Sequence, residues 1–123
     1  MAEFYEQVKE RLMRYARINT ESNPHSTSVP TTSCQHDLAS IIYEELQEIG
    51  ATNVYYDKDT CVVYGSLEAN VKTGRAIGFV THMDTAPDAS GKDVKPWVLE
   101  NYDGNDIVLN KERLNRYIGD LLI

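Results

Sequence analysis

The sequence predicts an α/β layer with mixed strand pairing, and three observations carry that prediction. Two stretches, Glu3 to Ile18 and Thr32 to Ile49, repeat apolar residues every three or four positions, which is the period of a helix. Two stretches rich in Tyr and Val, Asn53 to Asp57 and Cys61 to Leu67, flank the polar turn Lys58-Asp59, as paired strands do. A third, Ile77 to Val80, is apolar without alternation, the pattern of a strand covered on both faces in the parallel part of a sheet. The order helix, helix, strand, strand, strand in 123 residues suits a single small domain, 1–123, with a real core.

In the first helix Phe4, Val8, Leu12 and Tyr15 or Ala16 form one apolar stripe, expected to cover a sheet. Glu10 and Arg14 are spaced for an i, i+4 ion pair on the polar side. Asn19 to Ser33, with Pro24, Pro30 and several Ser and Thr, reads as a loop. Its length hints that it borders a site, although His25 within it reads as solvated. Thr32-x-x-Gln35 resembles a capping box opening the second helix. Leu38, Ile41, Ile42, Leu46 and Ile49 make that helix's apolar face, and Gly50 supplies its stop. Glu44, Glu45 and Glu48 fall mostly off the stripe and read as a solvated face, and His36 as surface.

Composition narrows the partners. A net charge of −7 argues against nucleic acid and anionic membrane, since phosphate binding needs clustered Lys and Arg. Cys34 and Cys61 lack the spacing of a zinc knuckle or redox motif. They read as reduced thiols of a cytoplasmic protein. No apolar run approaches the length of a signal or membrane segment.

At the carboxyl end of Ile77–Val80, where α/β sheets place their ligands, stand His82 and Asp84. Two positions apart, their side chains leave the same face if strand geometry persists. Imidazole beside carboxylate suits a metal site, the acid either ligating or holding the ring's other nitrogen. Chance alone gives about 0.5 such His-x-Asp/Glu pairs in a chain with three His and 19 acids. The pair by itself therefore favours a solvated strand end whose His caps a backbone carbonyl.

Beyond Pro87 the chain reads as loop, with Val94 to Glu100 as an extended edge and Trp97 packing within it. Ile107 to Leu109 is a further short apolar run. Leu114, Tyr117, Ile118, Leu121 and Leu122 then follow a helical period, and the chain stops on Leu121-Leu122-Ile123. Three large apolar residues at a terminus are unusual, so the expectation is a truncated chain.

Thr81-His82-Met83-Asp84-Thr85-Ala86-Pro87-Asp88-Ala89-Ser90-Gly91-Lys92, then Glu100-Asn101-Tyr102 and Gly104-Asn105-Asp106-Ile107, resembles the N-terminal part of the peptidase T family. These are tripeptide aminopeptidases among the dinuclear zinc exopeptidases. The opening helix, Val29-Pro30-Thr31 and Leu46-Gln47-Glu48-Ile49-Gly50 fit the same segment. The resemblance implies a partial three-layer αβα domain with a mixed sheet. It also implies cytoplasmic release of the N-terminal residue of tripeptides by zinc-activated water. By that resemblance His82 is a ligand of one of two zinc ions, and Asp84 is the catalytic-site carboxylate that orients it.

The family's bridging Asp in Gly-Ala-Asp-Asp, its Glu-Glu pair, its later Asp and His ligands and its lid and dimerisation domain have no counterpart here. Arg116 to Leu121 resembles the lead-in to the first of these. The expectation is therefore that this chain alone is inactive and does not bind zinc tightly. Two further readings are a degenerate relative acting as a small interaction module, and a related zinc hydrolase of another amide. The module would bury its apolar end, Leu121 to Ile123, in a partner or homodimer. Ser90-Gly91-Lys92 to Ile107 favours peptidase T over the other hydrolases.

Overall fold

The computed structural model describes residues 2–72 and 74–107. Four elements follow in order: α1 (Ala2–Tyr15), α2 (Gln35–Glu48), β1 (Thr52–Asp57) and β2 (Val62–Ser66). The result is a small α/β unit in which α2 packs on a two-stranded antiparallel sheet. Among the described residues no helix is long and apolar enough to cross a membrane.

The hairpin forms where β-favouring residues flank a turn. Tyr55 pairs with Tyr64, Tyr56 with Val63 and Asp57 with Val62, and the register shifts between Thr52 and Tyr55. At that irregularity Asn53 adopts a φ of 51°, a conformation that Asn tolerates better than most residues. The turn is built by Asp57, whose carboxylate accepts the Asp59 N–H at 3.1 Å and the Thr60 hydroxyl at 2.8 Å. The Thr60 hydroxyl, together with neighbouring backbone N–H groups, holds the Asp57 carboxyl below its ordinary range. On one face Tyr55 and Tyr64 stack with ring centroids 6.2 Å apart.

Helix α2 ends as its sequence predicts. Gly50 takes a φ of 81°, and the Ala51 N–H reaches Leu46 O at 2.9 Å while the Gly50 N–H reaches Gln47 O at 3.0 Å. These bonds satisfy carbonyls that a helix end leaves orphaned, and only glycine takes that φ without penalty. Leu38, Ala39 and Cys61 make the buried core between α2 and the hairpin. Burial pushes the Cys61 thiol and the Tyr56 hydroxyl above their usual pKa values. Both cysteines are free.

The beginning of α2 departs from the capping-box expectation. Cys34, in helical conformation and without a side-chain cap, precedes Gln35. The Gln35 side-chain amide instead donates to the hydroxyls of Thr31 and Thr32, and the Thr32 hydroxyl donates to Glu21 O at 2.6 Å. Thr32 is committed to the preceding loop, so it does not cap. His36 is half-buried and hydrogen-bonded through Nδ1 to the Tyr56 hydroxyl, tying α2 to β1 where a free surface side chain was expected.

Helix α1 is shorter than predicted, since the Arg17 and Ile18 N–H groups reach back only three residues to Arg14 and Tyr15. Its stripe does not cover the sheet, for Phe4, Tyr5, Val8 and Leu12 are all exposed. The helix is tethered through its polar flank instead. Arg11 Nε donates to Glu45 Oε2 at 3.2 Å, and Arg14 Nη2 and the Tyr15 hydroxyl also bind the Glu45 carboxylate. Glu45, expected on a solvated face, is buried. Arg14 pairs with it rather than with Glu10 because a desolvated carboxylate gains more from a guanidinium than an exposed one does.

The predicted third strand is the main correction. Ala76 to Val80 forms no strand, and Ile77, Phe79 and Val80 are 82%, 93% and 100% exposed. A doubly covered strand needs neighbours on both edges and layers on both faces. Among the described residues, the single sheet is the β1–β2 hairpin, and it does not extend to this run. Val94 to Glu100 is likewise outside any strand, and Trp97 is half exposed rather than packed. Leu109, the predicted helix from Leu114 and the apolar end Leu121 to Ile123 lie outside the described residues.

Candidate metal-binding segment

His82 and Asp84 come together as their spacing suggests, although the strand meant to carry them is absent. His82 Nδ1 lies 3.0 Å from Asp84 Oδ1. The side chains are 83% and 40% exposed, respectively. With Asp84 ionised, Nδ1 donates the proton, which fixes the tautomer and leaves Nε2 with its lone pair outward. That is the arrangement a metal-ligating imidazole requires.

What positions this pair is a contact between two loops. Thr85, the residue after Asp84, forms an isolated parallel bridge with Glu21. Its N–H donates to Thr20 O at 3.1 Å, and its carbonyl accepts the Ser22 N–H at 2.9 Å and the Ser22 hydroxyl at 3.1 Å. Further on, the Gly91 N–H donates to Glu21 Oε2 at 3.1 Å. A side chain at Gly91 would press on Asn19 Oδ1, only 2.8 Å from where its Cβ would stand.

The Asn19–Ser33 loop thus adjoins the His82-bearing segment. Between the two lies an open cleft of about 680 Å³, bordered by Asn23, His25, Cys34, Pro87 and Lys92 among others. His25 is exposed, as expected, and its own N–H rests on Asn23 Oδ1. The pairing of Glu21 with Thr85 is not legible in the sequence. Pairing between residues this far apart leaves no mark in local periodicity, and the local signal, the Asn19 turn that accepts the Glu21 N–H at 3.2 Å, does not reveal its distant partner.

Among the described residues, no group of three or more His, Cys, Asp or Glu gathers as a metal would require. The donor chemistry of His82 and Asp84 fits one ligand position with its orienting acid, and not a closed site.

No protein-family model matches the sequence. Its curated relatives, however, are peptidases by name. Peptidase T of Alkaliphilus oremlandii is 43% identical over 128 residues, covering 93% of this chain and 31% of the relative. Peptidase T of Geobacillus kaustophilus is 47% identical over 109 residues, covering 88% of this chain and 26% of the relative. Peptidase T of Desulfitobacterium hafniense is 49% identical over 106 residues, covering 85% and 25%. The chain is similar over most of its own length to proteins named peptidase T, and it spans between a quarter and a third of these relatives' length.

Proposed function

We propose that this chain supplies one corner of the zinc centre of a peptidase T-type aminopeptidase, with His82 ligating through Nε2 and Asp84 fixing its ring. The observation that supports this most directly is the 3.0 Å bond between Nδ1 and the Asp84 carboxylate, in a chain 42–49% identical to proteins named peptidase T. In the complete enzyme the reaction is removal of the N-terminal residue from tripeptides in the cytoplasm, where free Cys34 and Cys61 are at home. When bound, two zinc ions polarise the scissile carbonyl and lower the pKa of a bound water. The contribution of this chain is orientation. Asp84 holds one ring nitrogen so that the other points where a metal would sit.

The same reading assigns α2 and the hairpin to a three-layer αβα domain, in which Ile77 to Val80 becomes a sheet strand once neighbours flank it. A catalytic zinc needs three protein ligands and an open position, and a two-metal site needs more. Alone, the chain therefore holds zinc weakly and leaves peptides intact.

Zinc titration by calorimetry and by the ¹⁵N resonances of the His82 ring tests this. The expected outcome is weak binding that shifts His82 Nε2, disappears in His82→Ala and releases nothing from a tripeptide. A sub-micromolar site abolished by His82→Ala would overturn the single-corner reading. Weak binding that leaves the His82 ring untouched would remove His82 as a ligand.

A further inference from the structure

We infer that Glu21 is a positioning residue for the His82–Asp84 pair, a role that rests on the reading of His82 as a metal ligand and goes beyond it. Every polar group of Glu21 is engaged. Its N–H is held by Asn19 Oδ1 at 3.2 Å. Its carbonyl accepts the Thr32 hydroxyl at 2.6 Å and the Cys34 thiol at 3.8 Å. Its carboxylate accepts the Gly91 N–H at 3.1 Å.

These bonds fasten Glu21 to the start of α2 on one side and to the far end of the Thr85–Gly91 loop on the other. The residues on either side of Glu21 grip Thr85 through three more hydrogen bonds. The segment leaving Asp84 is therefore pinned at two points, Thr85 and Gly91, and both pins converge on Glu21. An exposed imidazole–carboxylate pair has no packing of its own to fix it, so its geometry is inherited from the backbone that carries it. The Glu21 carboxylate makes no ion pair with a Lys, Arg or His among the described residues. Its charge is directed at a backbone N–H, and a charged acceptor makes the stronger bond. The carboxylate in this position clamps a loop.

The ring tautomer of His82 reads out this role. At a pH of about 9 an ordinary imidazole is neutral, and a free ring favours the proton on Nε2, whereas the bond to Asp84 favours Nδ1. In the ¹⁵N-labelled 123-residue chain, the expected result is a wild-type His82 biased to Nδ1–H and a slowly exchanging Gly91 amide. Glu21→Ala should speed exchange at Gly91 and lower the Nδ1–H to Nε2–H ratio about fivefold, the factor one ordinary hydrogen bond supplies. Glu21→Gln, which keeps an acceptor oxygen, should restore both.

If Gly91 loses protection in Glu21→Ala while the ratio stays fixed, Glu21 is structural only and the inference fails. If the wild-type ring shows no Nδ1–H bias although Gly91 is protected, the His82–Asp84 reading itself fails. Should Glu21→Ala disturb the amides of α2 and the hairpin, Gly91→Pro opens the clamp from the other side by deleting the N–H that the Glu21 carboxylate holds. It must lower the ratio in the same direction, and an unchanged ratio would overturn the proposal.

Discussion

Glu45 joins segments 30 to 34 residues apart in the chain, and it does so as a buried carboxylate receiving Arg11, Arg14 and Tyr15. Removing it leaves two guanidinium groups and a phenol without their acceptor. Because Arg11 and Arg14 are themselves partly in water, the loss in Glu45→Ala is about 1–3 kcal/mol, below what a fully buried ion pair costs to break. Urea unfolding measures it. The same cluster carries a pH signature. Burial first, then the hydrogen bond to Glu45, pushes the Tyr15 hydroxyl up to about 12 from its ordinary 10. A group whose folded pKa is raised binds more protons folded than unfolded, so its stabilisation is complete below pH 10 and is lost as pH climbs from 10 to about 12. Wild-type should lose thermal stability over that window, and Tyr15→Phe should remove that part of the slope. An identical slope in Tyr15→Phe would mean that the phenol is not what holds α1 to α2. None of this was legible in the sequence. A Glu off the apolar stripe reads as solvated, and its partners lie outside any helical spacing.

At the scale of elements, legibility follows locality. The hairpin was readable to within a residue at each end because β-favouring runs and a polar turn are neighbours in the chain. The stop of α2 at Gly50 was readable for the same reason. The start of α2 was not, since Thr32 is drawn away by the Glu21 carbonyl, and neither was the flank by which α1 is tethered. Of the candidate site, the pairing of His82 with Asp84 was readable from spacing, while the bridge to Glu21 that carries it was not. The seam between α2 and β2 is tight at one point. A Cβ on Gly65 would stand 3.2 Å from Leu46 Cδ1, closer than ordinary carbon contact. Gly65→Val adds a branched side chain against that wall, so α2 must lift or Leu46 must leave its rotamer. The expected loss is about 1–3 kcal/mol, the usual cost of overpacking. Chemical denaturation gives the value, and weakened amide protection in both α2 and β2 locates it. A neutral or stabilising result, with strand propensity outweighing the contact, would show that Leu46 yields freely.

For the molecule as a whole, the apolar surface decides behaviour. Ile77, Phe79 and Val80 stand almost entirely in water, and the stripe of α1 is exposed beside the tether rather than beneath it. Large apolar side chains exposed together favour association. The sequence marks Ile77 to Val80 as a doubly covered strand, and the described residues cover neither face. The chain spans only a quarter to a third of its relatives' length, and a buried parallel strand gains its hydrogen bonds and its covering layers from distant parts of a chain. Pattern and surroundings therefore disagree at this run, and the disagreement has a measurable consequence. Replacing Ile77, Phe79 and Val80 together by Ser removes apolar side chains that bury almost nothing, so the unfolding free energy of the α2–hairpin unit should stay within about 0.5 kcal/mol. Binding of a hydrophobic dye and concentration-dependent association, followed by light scattering, should both fall in the same variant. A clear drop in stability on that triple substitution would mean that the run is covered in solution, by this chain or a second copy, and that its exposure is not the state the protein adopts.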